Sequence, residues 1–252
     1  MSKTKTLRKI RKRLFFRSLA LQSSWTSRRM QSLGLIYVLY PWLESSSLLL
    51  KEKVIFCRRH LAYFNTNPYY ANFLIGGLIR LEDENCENSE HPELLISSYK
   101  ESLGRALASL GDQLFWLGLR PALLSLSIVT GLCCGPQTAL LPVLLFAVAQ
   151  LILRWKSLNI GFELGLDIAD LMTKSVWHKS IGIARHVATL LAGILAGLVV
   201  VWVYQNSDTT GAVSNIYVMV TGVISFVILK RKMPVEGIVL TMLPVLAVLS
   251  YL

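Results

Sequence analysis

From residue 114 onward the chain is a succession of apolar stretches with short breaks, at 114–134, 138–153, 187–204, 216–229 and 235–252. Several approach the roughly 20 residues that a helix needs to cross hydrocarbon. Only 16% of the 252 residues are charged and 53% are hydrophobic, with a mean hydropathy of +0.51. Soluble domains carry about a quarter of their residues charged. The expected fold class is therefore all-α: an integral membrane helical protein with an N-terminal amphipathic helix, short or re-entrant core helices, and C-terminal transmembrane helices. No period of 20 to 50 residues recurs, so a repeat architecture does not explain the pattern.

The formal charge of +11 is unevenly spread. Ten Lys and Arg and no acid fall in the first thirty residues, which leaves 16 basic against 15 acidic residues in the body. A nucleic-acid-binding surface needs basic residues over a folded face with polar or aromatic readers, which the body lacks. Along the arm, Leu7, Ile10, Leu14 and Leu21 share a helical face, so residues 1–22 are expected to lie as an amphipathic helix on an anionic lipid surface. An Arg-rich, Ser-rich and acid-free stretch also suits an organellar transit peptide, which stays open as a second reading. A cleaved secretory signal does not fit, because Arg17 interrupts the only short apolar run.

Residues 23–186 form the expected core region and 187–252 the C-terminal spans. Within the core, 33–43 and 69–81 are apolar but too short to cross a bilayer, and the first is expected to end at Pro41. Residues 82–93 hold six acids and no Lys or Arg, and read as a solvated loop. Cys57, Cys86, Cys133 and Cys134 lack metal-ligand spacing and are expected to be buried as small hydrophobes. His60, His91, His178 and His186 form no metal-binding cluster, and nothing calls for a cofactor. His60 stands beside two arginines, a setting for a structural helix histidine rather than a phosphate acceptor. The stretch GDQLFWLGLRP, 111–121, has two readings: Asp112 as a helix cap with Pro121 as a kink, or a helix broken beside a polar site.

The quoted stretches LQSSWTSRRMQSLGLIYVLYP (21–41), RRHLAYFNTNPYYANFLIGGLIRLED (58–83), LGDQLFWLGLRP (110–121) and GFELGLDIADLM (161–172) occur in this order. As a set they resemble the IID membrane component of the mannose family of the bacterial phosphotransferase system. The resemblance implies a subunit, itself without a phosphorylation site, that forms a sugar path with a IIC membrane subunit. Soluble IIB and IIA proteins would carry the phosphoryl group for uptake of a hexose or amino-sugar across the bacterial inner membrane. Trp25, Gln31, Asn65, Asp112, Trp116 and Arg120 match the family's motif positions and become the candidate sugar-binding residues. Carboxylate and amide groups hydrogen-bond hydroxyls, and an indole face stacks on a pyranose. Each also has a plainer role: the tryptophans as interfacial anchors, Asn65 as a turn residue, Asp112 as a cap.

The chain departs from the family pattern at two places. Thr26 and Arg28 replace an asparagine and a glutamate, and 105–113 lacks two glycines and both prolines of a hairpin tip, which favours continuous helix. These departures leave room for a second function, a non-transporting IID-like protein with a sensing, regulatory or assembly role.

The placement of Lys and Arg orients the chain. Lys174, Lys179 and Arg185 precede 187–204, the loop 205–215 has none, and Lys230, Arg231 and Lys232 precede the last span. The positive-inside rule then puts the N-terminus in the cytoplasm and Leu252 outside. A reporter active only in the cytoplasm, fused after Leu252, is expected to stay dark, and a bright fusion would reverse the orientation.

Overall fold

The computed structural model describes residues 3–88 and 92–206. These residues form nine α-helices: α1 (Lys3–Ser18), α2 (Ser32–Ser45), α3 (Leu50–Leu61), α4 (Ala71–Asn88), α5 (Pro92–Gly111), α6 (Arg120–Cys134), α7 (Leu140–Leu164), α8 (Ile168–Thr173) and α9 (Ser175–Asn206). A π-helical segment, Asp112–Leu119, joins α5 to α6. Among the described residues there is no strand, only isolated bridges of Thr26 with Met30 and Met30 with Phe64. The all-helical membrane class expected from the sequence is thus what the chain adopts. Glu93–Cys134, Pro136–Thr173 and Ser175–Val199 are long and apolar enough to span a bilayer. The expected spans 216–229 and 235–252, most of the loop 205–215 and the basic run 230–232 lie outside the described residues.

The chain divides into two compact units, one drawn from Met1–Leu114 and Leu144–Gly182, the other from Phe115–Val143 and Ile183–Leu252. In the first unit α4 is the central helix, with Leu74, Ile75, Leu78 and Ile79 fully buried. It meets α7 at backbone contact. A Cβ on Gly76 would lie 2.2 Å from the Leu158 carbonyl oxygen, and one on Gly161 would lie 2.1 Å from that of Phe73. Small residues at the crossing let the two backbones touch, the usual way helices associate without a hydrophobic drive between them. The amide of Asn72 ties the same pair by donating to the Arg154 carbonyl at 2.8 Å.

The basic arm is packed against this unit. Ile10, Leu14 and Leu21, the apolar face read as lipid-facing, are buried where α1 meets α2 and α4. Arg11 stacks 4.0 Å from the Trp155 ring centre and donates to Asn159 at 3.2 Å, while Arg13 pairs with Glu44. Arg17 solves a problem set by proline. Helix α2 does not end at Pro41 as expected but runs on to Ser45. Pro41 has no N–H for the carbonyl of residue 37, four positions back. The Arg17 guanidinium donates to that Tyr37 carbonyl at 2.9 Å.

The acid run is also corrected. Its first half is the end of α4, and Glu82 is buried. A buried carboxylate requires partners, and it has them: Arg59 donates at 2.7 and 2.6 Å, and His60 Nε2 lies 2.7 Å away. The Lys100 ammonium joins the cluster by donating to the Arg59 carbonyl at 2.8 Å. Burial is the main reason that the His60 pKa is lowered, with hydrogen bonding to Glu82 opposing it. His60 is therefore a structural histidine whose Nε2–H donates to Glu82.

In the second unit α6 turns at Gly135 into a 3-10 turn, Pro136–Ala139. Gly135 has φ +100°, a conformation that favours glycine. Thr138 Oγ1 bridges the turn by donating to the carbonyls of Thr130 at 2.8 Å and Gly135 at 2.7 Å. Leu124, Ile128 and Leu132 form an exposed apolar stripe on α6. Cys133 and Cys134 are exposed and Cys57 half-buried, so these three free thiols are not the buried hydrophobes expected.

Gly161→Ile is expected to force α4 and α7 apart and to cost roughly 1–3 kcal/mol or more. It should lower the melting temperature sharply, while Gly193→Ala, where a Cβ meets nothing within 4 Å, should leave it unchanged or slightly raised. Stability should also fall as pH drops below His60's ordinary value of 6.5, because the unfolded chain then takes up a proton that the folded chain resists. The slope, at most about 1.4 kcal/mol per pH unit for one proton, should be smaller in His60→Gln when melting is followed against pH.

Candidate functional site

The stretches 21–41 and 58–83 and the head of 110–121 meet in the first unit, the first two through backbone bonds and the third through a side chain. Residues 26–30 curl into a loop in which the Met30 amide donates to the Thr26 carbonyl at 2.8 Å and the Thr26 amide to the Met30 carbonyl at 3.1 Å. Thr26 Oγ1 caps the loop by accepting from the Arg29 amide at 3.2 Å. A threonine hydroxyl thus performs the local bonding that an asparagine performs in such turns. Met30, at φ 52°, carries the left-handed turn that the loop needs.

Gln31 then clamps the next stretch. Its backbone amide donates to the Phe64 carbonyl at 2.8 Å. Its side-chain amide donates to the Thr66 carbonyl at 2.8 Å and accepts from the Thr66 amide at 3.2 Å. Gln31 is buried, and this reciprocal pair makes it a strut between 26–31 and 64–67.

Asn67 carries the connection onward. It is 1% exposed, its Oδ1 accepts from the Tyr69 amide at 3.0 Å, and its backbone carbonyl accepts from the amides of Tyr70 and Ala71 at the start of α4. An Asn ahead of Pro68 that bonds two residues on is an Asx turn. With its oxygen so committed, the Nδ2 group points at Asp112 and donates to Oδ1 at 2.8 Å. Gly111 permits the approach, since a Cβ there would lie 2.4 Å from the Asn67 Cβ and Cγ. The Gly-Asp pair thus resolves into a close-contact residue followed by an exposed carboxylate whose orientation is set by a buried amide.

Asp112 opens the π-helical segment rather than capping a new helix. Residues 105–111 are continuous α5, as the loss of glycine and proline implied. Pro121 at the start of α6 lacks the amide that an α-helix would aim at the carbonyl four residues earlier, and the wider π turns just before it relieve that demand. π-Helical turns are rare and concentrate at functional sites.

The six expected residues fall into distinct settings. Asp112 is exposed and held, Gln31 is a buried strut, and Asn65 and Trp25 are exposed in the two joined loops, Trp25 at 55%. In the second unit the Arg120 guanidinium sits 3.7 Å from the Trp116 ring centre, so a cation covers one face of that indole. Asn67, which holds Asp112, is not among the six. Its signal was present in the Asn-Pro pair heading an apolar helix.

The family model for the PTS system mannose/fructose/sorbose family IID component matches residues 5–252. The mannose-specific EIID component of Escherichia coli is 29% identical over 200 residues, 77% of this chain and 68% of that protein. The sorbose-specific EIID component of Klebsiella pneumoniae is 28% identical over 204 residues, 79% of this chain and 73% of its own. A solved membrane-protein structure superposes with a TM-score of 0.65 at 28% identity over 73% of this chain and 68% of that one. The mannose transporter ManYZ, solved in complex with a microcin, superposes at 0.56 with 23% identity over 94% and 93%.

Asn67→Ala removes a hydrogen bond to a charged group, a loss of about 1.5–3 kcal/mol. It should lower thermal stability by that order, and Gly111→Ala should do the same through steric contact. Melting curves as stable as wild type for both would contradict the tether.

Proposed function

Since this chain belongs to the mannose/fructose/sorbose family of phosphotransferase-system IID components, we propose that it lines the sugar path of such a transporter with Asp112 as a sugar-hydroxyl acceptor. The observation that supports this reading is the Asn67–Asp112 bond: an exposed carboxylate oriented by an amide that is itself fixed on both sides. A carboxylate accepts from two hydroxyls at once, and a pre-oriented one loses little freedom on binding. Trp25 and Asn65, exposed on the loops that Gln31 joins, supply a stacking face and a further amide.

The partners of this reading are a IIC membrane subunit, which completes the path, and soluble IIB and IIA proteins, which carry the phosphoryl group to a hexose or amino-sugar. The chain sits in the bacterial inner membrane with its N-terminus in the cytoplasm and its C-terminus outside. As a IID component it positions sugar and does not itself carry phosphate.

A second reading rests on Arg28, an exposed cation where the resembling family has a glutamate. A protein that keeps the fold and the partner contacts without moving sugar would tolerate that exchange. Both readings face one assay in vesicles containing the chain with its IIC, IIA and IIB partners. On the transport reading wild type phosphorylates a hexose or amino-sugar, and Asp112→Ala lowers the rate roughly ten- to a hundredfold with assembly intact, as expected for about 1.5–3 kcal/mol. No phosphorylation by wild type across a sugar panel, with activity appearing in Arg28→Glu, supports the second.

A further inference from the structure

Helix α3 has two apolar faces, and the protein covers one of them. Phe56 and His60 turn inward and are 1% and 0% exposed. On the outer side Leu50, Val54 and Leu61, spaced by four and seven residues, line an open groove of about 620 Å³. Leu50 and Val54 are 79% and 53% exposed there. The same groove is lined by Arg29, from the loop before α2, and by Lys53 and Arg58 of α3. No carboxylate lines it, and among the described residues none of these three cations forms an ion pair.

We propose that this groove binds an anionic phospholipid, its phosphate held by Arg29, Lys53 and Arg58 and an acyl chain laid along Leu50, Val54 and Leu61. The lining is amphiphilic in the manner of such a lipid, with three uncompensated positive charges beside exposed aliphatic surface. Long basic side chains lie along apolar surface while their charged heads meet the headgroup layer. Trp25 and Tyr63, on the chain segments that adjoin the groove, are 55% and 59% exposed, and aromatic residues with one apolar and one polar edge collect at that same depth. The arm offers weaker recognition, because Arg11, Arg13 and Arg17 already have protein partners. The proposal rests on the chain being a membrane protein and is independent of whether Asp112 meets sugar.

The test uses the full-length chain with its membrane partner in phosphatidylcholine nanodiscs doped with phosphatidylglycerol, followed by mild detergent extraction and mass spectrometry of the retained lipid. Phosphatidylglycerol should be retained in preference to phosphatidylcholine. Arg29→Gln combined with Lys53→Gln and Arg58→Gln should cut that preference about tenfold or more, as the loss of several basic contacts with an anionic headgroup implies. Val54→Asp, which charges the floor of the groove, should cut it too, and Lys51→Gln, outside the groove, should not. Equal retention of the two lipids overturns the proposal, as does a preference that survives the triple substitution and so belongs to other cations. A photo-crosslinker at Leu50 that captures only protein would assign the groove to a protein partner and equally overturn it.

Discussion

A single side chain, Asn67, joins the beginning of α4 to the end of α5. Its Oδ1 makes the turn that leads into α4, its Nδ2 holds the carboxylate that follows α5, and Gly111 removes the atom that would keep them apart. Much of the surrounding polar geometry leads to it. Gln31 fixes the backbone at Thr66, one residue before Asn67, and the Thr26–Met30 loop feeds into Gln31. The chain of bonds runs from an exposed loop through a buried amide to an exposed acid. Both side-chain amides on it, those of Gln31 and Asn67, use their oxygen and their nitrogen, which is the condition for burying amides at all.

The same economy governs charge elsewhere in the first unit. Glu82 is buried against Arg59 and His60, Arg17 replaces the amide that Pro41 lacks, and Arg154 donates to the Ser18 carbonyl at the end of α1 at 3.2 Å. Ionic groups inside an apolar protein persist where each has a partner. The apolar stripes, by contrast, face outward: Leu144, Leu145 and Val148 on α7, and Leu124, Ile128 and Leu132 on α6, are all exposed. A soluble monomer rarely shows contiguous apolar area on this scale, and a chain in lipid meets no penalty for it.

How far the sequence spoke depended on the kind of signal. Long apolar runs identified the helical membrane class, because length and hydropathy survive any tertiary context. Ordered motifs pointed to the family, and the absence of glycine and proline at 105–110 correctly implied unbroken helix. Local rules failed where a distant residue intervened. Pro41 looked like a helix end because nothing local announces that Arg17 will take its place, and the acids from Glu82 looked solvated because Arg59 and His60 lie more than twenty residues away. Asn65 stands at the motif position, whereas the amide that is buried and bonded to Asp112 belongs to Asn67, two residues on, which the motif leaves unspecified. The π turn at 112–119 had no sequence mark beyond the nearby proline.

The central claim is that Asn67 acts through Asp112, and a double-mutant cycle tests it most directly. Asn67→Ala, Asp112→Ala and the double substitution are compared with wild type by sugar-dependent phosphorylation at equal levels of assembled complex. If the amide serves to orient the carboxylate, the double variant should be no worse than Asp112→Ala alone, with a coupling of about 0.5–3 kcal/mol. Losses that simply add would show that the two residues act independently and would contradict the account.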